Sequence, residues 1–249
     1  QGKAVLCEKP MEASADRAEQ LVEVCADAGV PLMVGYRMQT DPVVRRLKDL
    51  VDAGFIGDPI HVHATMSQTM LGELTGDPDQ WRLDPDRSGG CALMDIGIYP
   101  LNTTRFVLDA DPVAVSGHTR TEHEAFEGVD EPADFRLEFP NGVTAMCTVS
   151  QNATHASRLE ITGTDGRVVL DPAFYEREER EVAVERGDVR MDVEVEPVHQ
   201  VEEEFAYFGH HLLTETPFYP DGGHALVDSR ALEAIYRSAE TGESVRLTE

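Results

Sequence analysis

The sequence predicts an α/β protein. The C-terminal end of a parallel α/β domain runs into an α+β domain with a large, mostly antiparallel open sheet. Three observations carry that prediction. A strand–helix–strand unit with short connections fills the first 37 residues. A long succession of alternating apolar–polar runs and turn signals follows it, out to about residue 196. Two helical segments then close the chain.

Residues 3–7 (KAVLC) read as a short buried strand. Ser14 caps the next helix, where Ala18, Leu21, Val22 and Cys25 recur at helical spacing, and Gly29 closes it. Residues 31–35 (PLMVG) form a second buried strand. Two strands joined through a helix run parallel. Two strands are too few for a free-standing doubly wound sheet. Residues 1–37 are therefore expected to be the C-terminal remnant of a larger domain, with residues 38–249 as the second domain.

Asp41-Pro42 caps a helix whose Val43, Val44, Leu47, Leu50 and Val51 share one face, and Gly54 ends it. Ile60, Val62, Ala64 and Met66 then alternate with polar residues, as in a half-buried strand. Residues 71–88 are rich in Asp, Gly and Pro and are expected to form a long loop; residues 89–108 read as a helix. Strand-like runs follow at 113–119, 133–139, 143–149, 157–162 and 167–170. Asn141-Gly142 marks a hairpin between two of them, and Thr164-Asp165-Gly166 marks a further turn. Residues 180–196 alternate weakly, as an edge hairpin or loop would. The last helices fall at about 200–215 and 224–241, the second turning Leu226, Leu232, Ile235 and Tyr236 inward before Gly242.

Net charge is −26, from 47 acids against 21 Lys and Arg. That excludes nucleic acid and anionic membranes as partners, since both need a basic face. No apolar run approaches the ~20 residues that span a bilayer. The acids are dispersed and only three lysines occur, Lys3, Lys9 and Lys48, a balance suited to molar salt, where self-repulsion is screened. Cys7, Cys25, Cys91 and Cys147 are widely spaced in apolar contexts, as reduced core thiols of a cytoplasmic protein are. His61 with His63 and the adjacent His210 and His211 are isolated pairs without a third ligand, so no metal site is expected.

Chemistry concentrates in two places. Asp95 and Tyr99, four apart in GGCALMDIGIYPLN, share one helical face and interrupt an apolar segment. Lys9 ends the run GKAVLCEKP. An ammonium close to a phenol favours the phenolate. Lys9 beside Tyr99 would let the tyrosine take a proton from an alcohol while Asp95 orients the lysine. The triplet Glu202, Glu203 and Glu204 reads as a solvated helix start.

Three blocks, GKAVLCEKPMEAS, LMVGYR and QWRLDPDRSGGCALMDIGIYPLN, resemble the glucose–fructose oxidoreductase and inositol dehydrogenase family. The similarity continues through ITGTDGRVVLDPAFY and LEAIYRSAETGESV, so it covers essentially the whole chain. It is strongest to the branch of NADP-dependent aldose dehydrogenases and dihydrodiol dehydrogenases. The resemblance implies a Rossmann-type dinucleotide domain whose end is residues 1–37. It implies that Lys9, Asp95 and Tyr99 are catalytic, with Tyr99 the general acid/base. Glu8, Lys9, Pro10, Trp81, Arg82 and, more weakly, Arg37 would approach the cofactor. Lys9, Tyr99 and Tyr175 would meet the sugar. The cofactor implied is NADP, with NAD as the alternative.

The family's G-x-G-x-x-G phosphate turn does not occur in this sequence, and an N-terminally incomplete chain is expected. The activity implied is oxidation of an aldose such as D-xylose at C1 to the aldonolactone. The alternatives are a dihydrodiol dehydrogenase or glucose–fructose oxidoreductase type of activity, or a non-catalytic oligomerisation module. A homodimer or homotetramer through the open sheet face is the expected assembly.

Overall fold

The computed structural model describes residues 2–77, 80–176, 180–196 and 198–247. Gln1, in the expected N-terminal unit, and Pro78 and Asp79, in the expected loop, lie outside the described residues. Strand β1 (Val5–Glu8) pairs in parallel with β2 (Leu32–Gly35), with Glu8 opposite Gly35, and α1 (Ala15–Asp27) connects them. The Ser14 hydroxyl caps α1 by accepting the Arg17 N–H.

One turn of helix, α2 (Arg37–Thr40), leaves the carboxyl end of β2. Helix α3 (Pro42–Asp52) starts at Asp41, whose side chain accepts the Val43 N–H. It leads to β3 (Pro59–Thr69). The next segment corrects an expectation. Residues 71–88 hold α4 (Leu71–Gly76), a 3-10 turn at Trp81–Leu83 and α5 (Pro85–Ser88). The polar residues that suggested a loop are caps: Gln80 accepts from Arg82 N–H and Asp84 from Asp86 N–H. Leu74 anchors α4 in a small apolar cluster with Cys91, Phe126 and Val129.

Helix α6 (Ile98–Leu108) is preceded by a π-helical turn, Leu93–Gly97, where a continuous helix was expected. Pro100 lacks the N–H that would bond the Ile96 carbonyl, so the turn before it widens.

The strands β4 (Ala114–Thr119), β5 (Pro132–Glu138), β6 (Thr144–Ser150), β7 (Asn152–Gly163), β8 (Gly166–Asp171), β9 (Glu181–Arg186) and β10 (Val189–Val193) then follow. Helices α7 (Gln200–Thr214) and α8 (Gly222–Thr241) and strand β11 (Val245–Arg246) complete the chain. Nine strands form one sheet in the order β10-β9-β8-β7-β3-β6-β5-β4-β11. All its pairs are antiparallel except β3 with β6. The β5–β6 hairpin turns at Asn141-Gly142, where Gly142 takes a φ of +84°. The β9–β10 hairpin lies at the sheet edge, as expected.

Burial alternates residue by residue along β5 and β6, so one face is covered and the other open. Helix α6 packs on β3 and β6, and α8 on β4. Helix α1 packs on α8 and ties the small sheet to the large one.

Glu204 corrects a second expectation. Glu202 and Glu203 are exposed, but Glu204 is 3% exposed, on the same face of α7 as buried Gln200 and Phe208. The spacing of four residues, one helical turn, puts it inward. All four cysteines are free thiols, and Cys25, Cys91 and Cys147 are buried. Among the described residues no helix is long and apolar enough to cross a membrane.

Candidate active site

Ligands of open parallel sheets meet the carboxyl ends of the strands. Here those ends deliver two cations to one tyrosine. Lys9 follows β1, and Arg37 opens α2 after β2. Both lie 4.5 Å from the centre of the Tyr99 ring, measured from Lys9 Nζ and Arg37 Cζ. Arg37 Nε donates to the Tyr99 hydroxyl oxygen at 3.2 Å. The cation bonded to the phenol is therefore Arg37, while Lys9 lies against the ring. The sequence alone points to Lys9 for that place.

Lys9 Nζ is held by the turn that carries Asp95. It donates to the Asp95 backbone carbonyl at 2.7 Å and lies 3.5 Å from Asp95 Oδ1. Asp95 Oδ2 accepts from Arg82 Nε at 3.0 Å and from Gln151 Nε2 at 2.8 Å. Asp95 is thus a hub in the π-helical turn, one oxygen facing Lys9 and the other clamped. The Lys9, Asp95 and Arg82 side chains are 12%, 13% and 31% exposed, so the cluster is shielded but reachable. The Arg82 guanidinium stacks 4.5 Å from the ring of Trp81, itself 36% exposed. Exposed Glu8 accepts the Lys9 backbone N–H at 3.2 Å, and a cis peptide joins Lys9 to Pro10.

Lys9, Asp95, Tyr99, Arg37, Arg82 and, through Arg82, Trp81 come together. Tyr175 is anchored on β3 and β7. Its hydroxyl donates to the Ser67 carbonyl at 2.5 Å, and its ring stacks on His155 with centroids 3.8 Å apart. Its neighbour Phe174 meets the cluster: the Phe174 carbonyl accepts from Arg37, and its ring centroid lies 6.5 Å from that of Tyr99.

Two residues carry no signal in the sequence, Gln151 and Gln200, and a third, Glu204, reads there as solvated. Gln151 is fully buried and bonds Asp95 and Gln68. Gln200 accepts from Arg37 and donates to Asp41. Glu204 lies near Arg37, Glu8 and Glu176, and burial first, then Glu8, pushes its carboxyl up to about 8. Single amides at element ends carry no periodic signal. A glutamate one turn beyond a buried glutamine was the one usable clue.

Cys91, at the start of this turn, is no nucleophile: burial, then Asp130 and Asp95, push its thiol up to about 12. Among the described residues no cluster of three or more His, Cys, Asp or Glu side chains is arranged for a metal ion. A cavity of about 690 Å³ between residues 109–113 and one face of α8 contains none of these site residues.

The residues present fit one end of a dinucleotide. Trp81 offers an exposed aromatic face beside a cation, and Glu8, Lys9 and Pro10 lie at a strand's carboxyl end. That suits a flat ring such as nicotinamide.

Comparisons with known proteins identify relatives of the chain. A family model for the GFO/IDH/MocA C-terminal domain matches residues 44–169, and one for the oxidoreductase family, NAD-binding Rossmann fold, matches residues 1–36. The chain is 52% identical to D-xylose 1-dehydrogenase [NADP(+)] of Haloarcula marismortui, over 98% of this chain and 68% of that protein. It is 33% identical to D-xylose 1-dehydrogenase (NADP(+)) 2 of Haloferax volcanii, over 99% of this chain and 74% of that protein. The crystal structure of aldose-aldose oxidoreductase from Caulobacter crescentus, complexed with glycerol, superposes with a TM-score of 0.91 at 33% identity. That match covers 99% of this chain and 72% of the other. The chain belongs to the GFO/IDH/MocA family of oxidoreductases.

Proposed function

We propose that this family member oxidises the C1 hydroxyl of a cyclic aldose, D-xylose or a close relative, to the aldonolactone with NADP. The substrate and cofactor follow the two halophile relatives, which carry both in their names. One observation carries the mechanism: the Tyr99 hydroxyl is bonded by Arg37 at 3.2 Å while Lys9 lies against the same ring.

Tyr99 is the general base. It takes the proton of the C1 hydroxyl at Oη, and positive charge on two sides stabilises the oxyanion through which that proton passes. Lys9, fixed by the Asp95 carbonyl, has a remaining N–H to donate to the substrate oxygen. Asp95 balances the Lys9 charge and holds its direction, itself clamped by Arg82 and Gln151. Bound at this site, NADP would supply the hydride acceptor for the same carbon. Glu8, Lys9 and Pro10 with Trp81 and Arg82 would hold its nicotinamide end. Tyr175, turned to Ser67, would shape the sugar side through its ring. Residues 1–37 form the cofactor side and residues 38–249 the substrate side. The enzyme works in the cytoplasm at high salt as a homo-oligomer joined through the open sheet face.

The test is turnover of D-xylose with NADP, followed as NADPH. Tyr99→Phe should lower kcat about 10²–10⁴-fold, the usual contribution of a positioned acid/base, with cofactor affinity little changed. Unchanged turnover would remove Tyr99 from the base role.

A further inference from the structure

Glu204 has no part in the mechanism above, yet it is a carboxyl buried behind that site. It is 3% exposed, and its Oε1 has no hydrogen-bond partner among the described residues. Both oxygens lie over Gly35, the last residue of β2; a Cβ there would sit 3.6 and 3.7 Å from them. Arg37 is two residues further on, and α2 packs against α7.

Arg37 is itself unusual. Its guanidinium is held by three neutral oxygens, those of Tyr99, Gln200 and the Phe174 carbonyl. The carboxylate beyond Gln200, Asp41, is already paired with Arg180. We propose that Glu204 is a positioning residue for Arg37: uncharged, it leaves the guanidinium on the Tyr99 oxygen, and ionised, it draws the guanidinium away. The proposal rests on the reading of Tyr99 as the base.

The physical reason is a competition. A buried carboxylate needs a partner, and burying one unpaired is costly. Among the described residues the charged groups that face Glu204 are Glu8 from the end of β1, Arg37 from α2 and Glu176 from the segment after β8. Glu176 lies 3.4 Å from His199 Nδ1. Arg37 is the only one of the three with positive charge. A charge-assisted bond to a carboxylate is about twice as strong as one to a neutral oxygen. The Arg37–Tyr99 bond, at 3.2 Å, is at the long end of the N–H···O range. It is therefore the one to break. Burial, reinforced by Glu8 and then offset by Arg37, places the ionisation of Glu204 at about 8, within an enzyme's working range.

The test is the pH dependence of kcat for the purified enzyme and its Glu204→Gln variant. In the parent, kcat should fall above about pH 8. In the variant, which stays neutral, that descent should move up by about one pH unit or more. At pH 7 the variant should keep kcat and KM within about twofold, because the uncharged form is the competent one. A merely structural role would lower kcat at every pH and leave the descent in place; that result overturns the proposal.

A second measurement needs neither a variant that folds nor activity. In protein carrying ¹³C-labelled glutamate, one side-chain carboxyl resonance should titrate near pH 8. If no glutamate titrates above pH 7, the proposal is wrong whatever Tyr99 does. If Tyr99→Phe retains turnover while that resonance is present, the base assignment fails instead.

Discussion

Two polar clusters in this molecule use nearly the same side chains to opposite ends. One gathers Lys9, Arg37 and Arg82 around Asp95 and Tyr99. The other gathers Arg105 around Asp228, Asn102, Gln39 and His224. The same two elements supply both: α2 contributes Arg37 to the first and Gln39 to the second, and α6 contributes Tyr99 to the first and Asn102 with Arg105 to the second.

They differ in closure. Arg105 and Asp228 pair at 2.6 Å with side chains 1% and 0% exposed. Asn102 donates to Asp228 at 2.7 Å, and Gln39 donates to Asn102 at 2.8 Å. The second cluster is sealed and mutually bonded, so its work is to fix α2, α6 and α8 to one another. The first stays partly exposed at Lys9 and Trp81. A cation, a carboxylate and an amide in contact are thus not enough to mark a site; access and an unfilled donor are what differ.

That contrast can be broken by substitution. The largest expected effect is on the sealed cluster. Asp228→Ala leaves Arg105 one paired carboxylate, the exposed Asp111, and should destabilise the fold by about 3–5 kcal/mol, read by denaturant titration. A loss under about 1 kcal/mol would mean that the cluster is not the brace described here.

Next in size is Gln151→Leu, which removes one of two clamps on Asp95 Oδ2. A lost hydrogen bond to a charged group is worth about 1.5–3 kcal/mol, so kcat should fall about tenfold or more, with a smaller change in KM. An unchanged kcat would show that Arg82 alone holds Asp95.

The smallest effect is a pH slope. Burial, helped by Arg105 and opposed by Asp228, pushes His224 down to about 4. A histidine depressed in the fold contributes stability above its unfolded value, about 6.5, and loses it as pH falls towards 4. His224→Gln should flatten the decline in stability between pH 6.5 and 4. An identical slope in the variant would mean that the decline comes from other groups.

The open cluster was largely legible in the sequence, and the sealed one was not. Lys9, Asp95 and Tyr99 each interrupt an apolar stretch, and such interruptions demand a reason. The Arg37–Tyr99 bond joins residues 62 apart, and only the fold decides which cation reaches the phenol. Gln151 and Gln200 are single amides at element ends, placed by sheet register and by one helical turn. The widening before Pro100 was hidden because a π turn and an α turn bury the same residues to first order. The alternation of β5 and β6 and the Asn141-Gly142 turn were plain, since a period of two and a positive φ leave marks in composition. The caps at Gln80 and Asp84 were misread as loop because capping and loop residues are the same types.

The account turns on the open cluster doing chemistry while the sealed one holds the fold. The most direct test measures kcat and unfolding midpoint together for Tyr99→Phe and Asp228→Ala. Tyr99→Phe should lose kcat by about 10²-fold or more at an almost unchanged midpoint. Asp228→Ala should lose several degrees of midpoint while the folded fraction keeps kcat within about threefold. A Tyr99→Phe enzyme that turns over normally, or loses turnover only in proportion to lost fold, would contradict it.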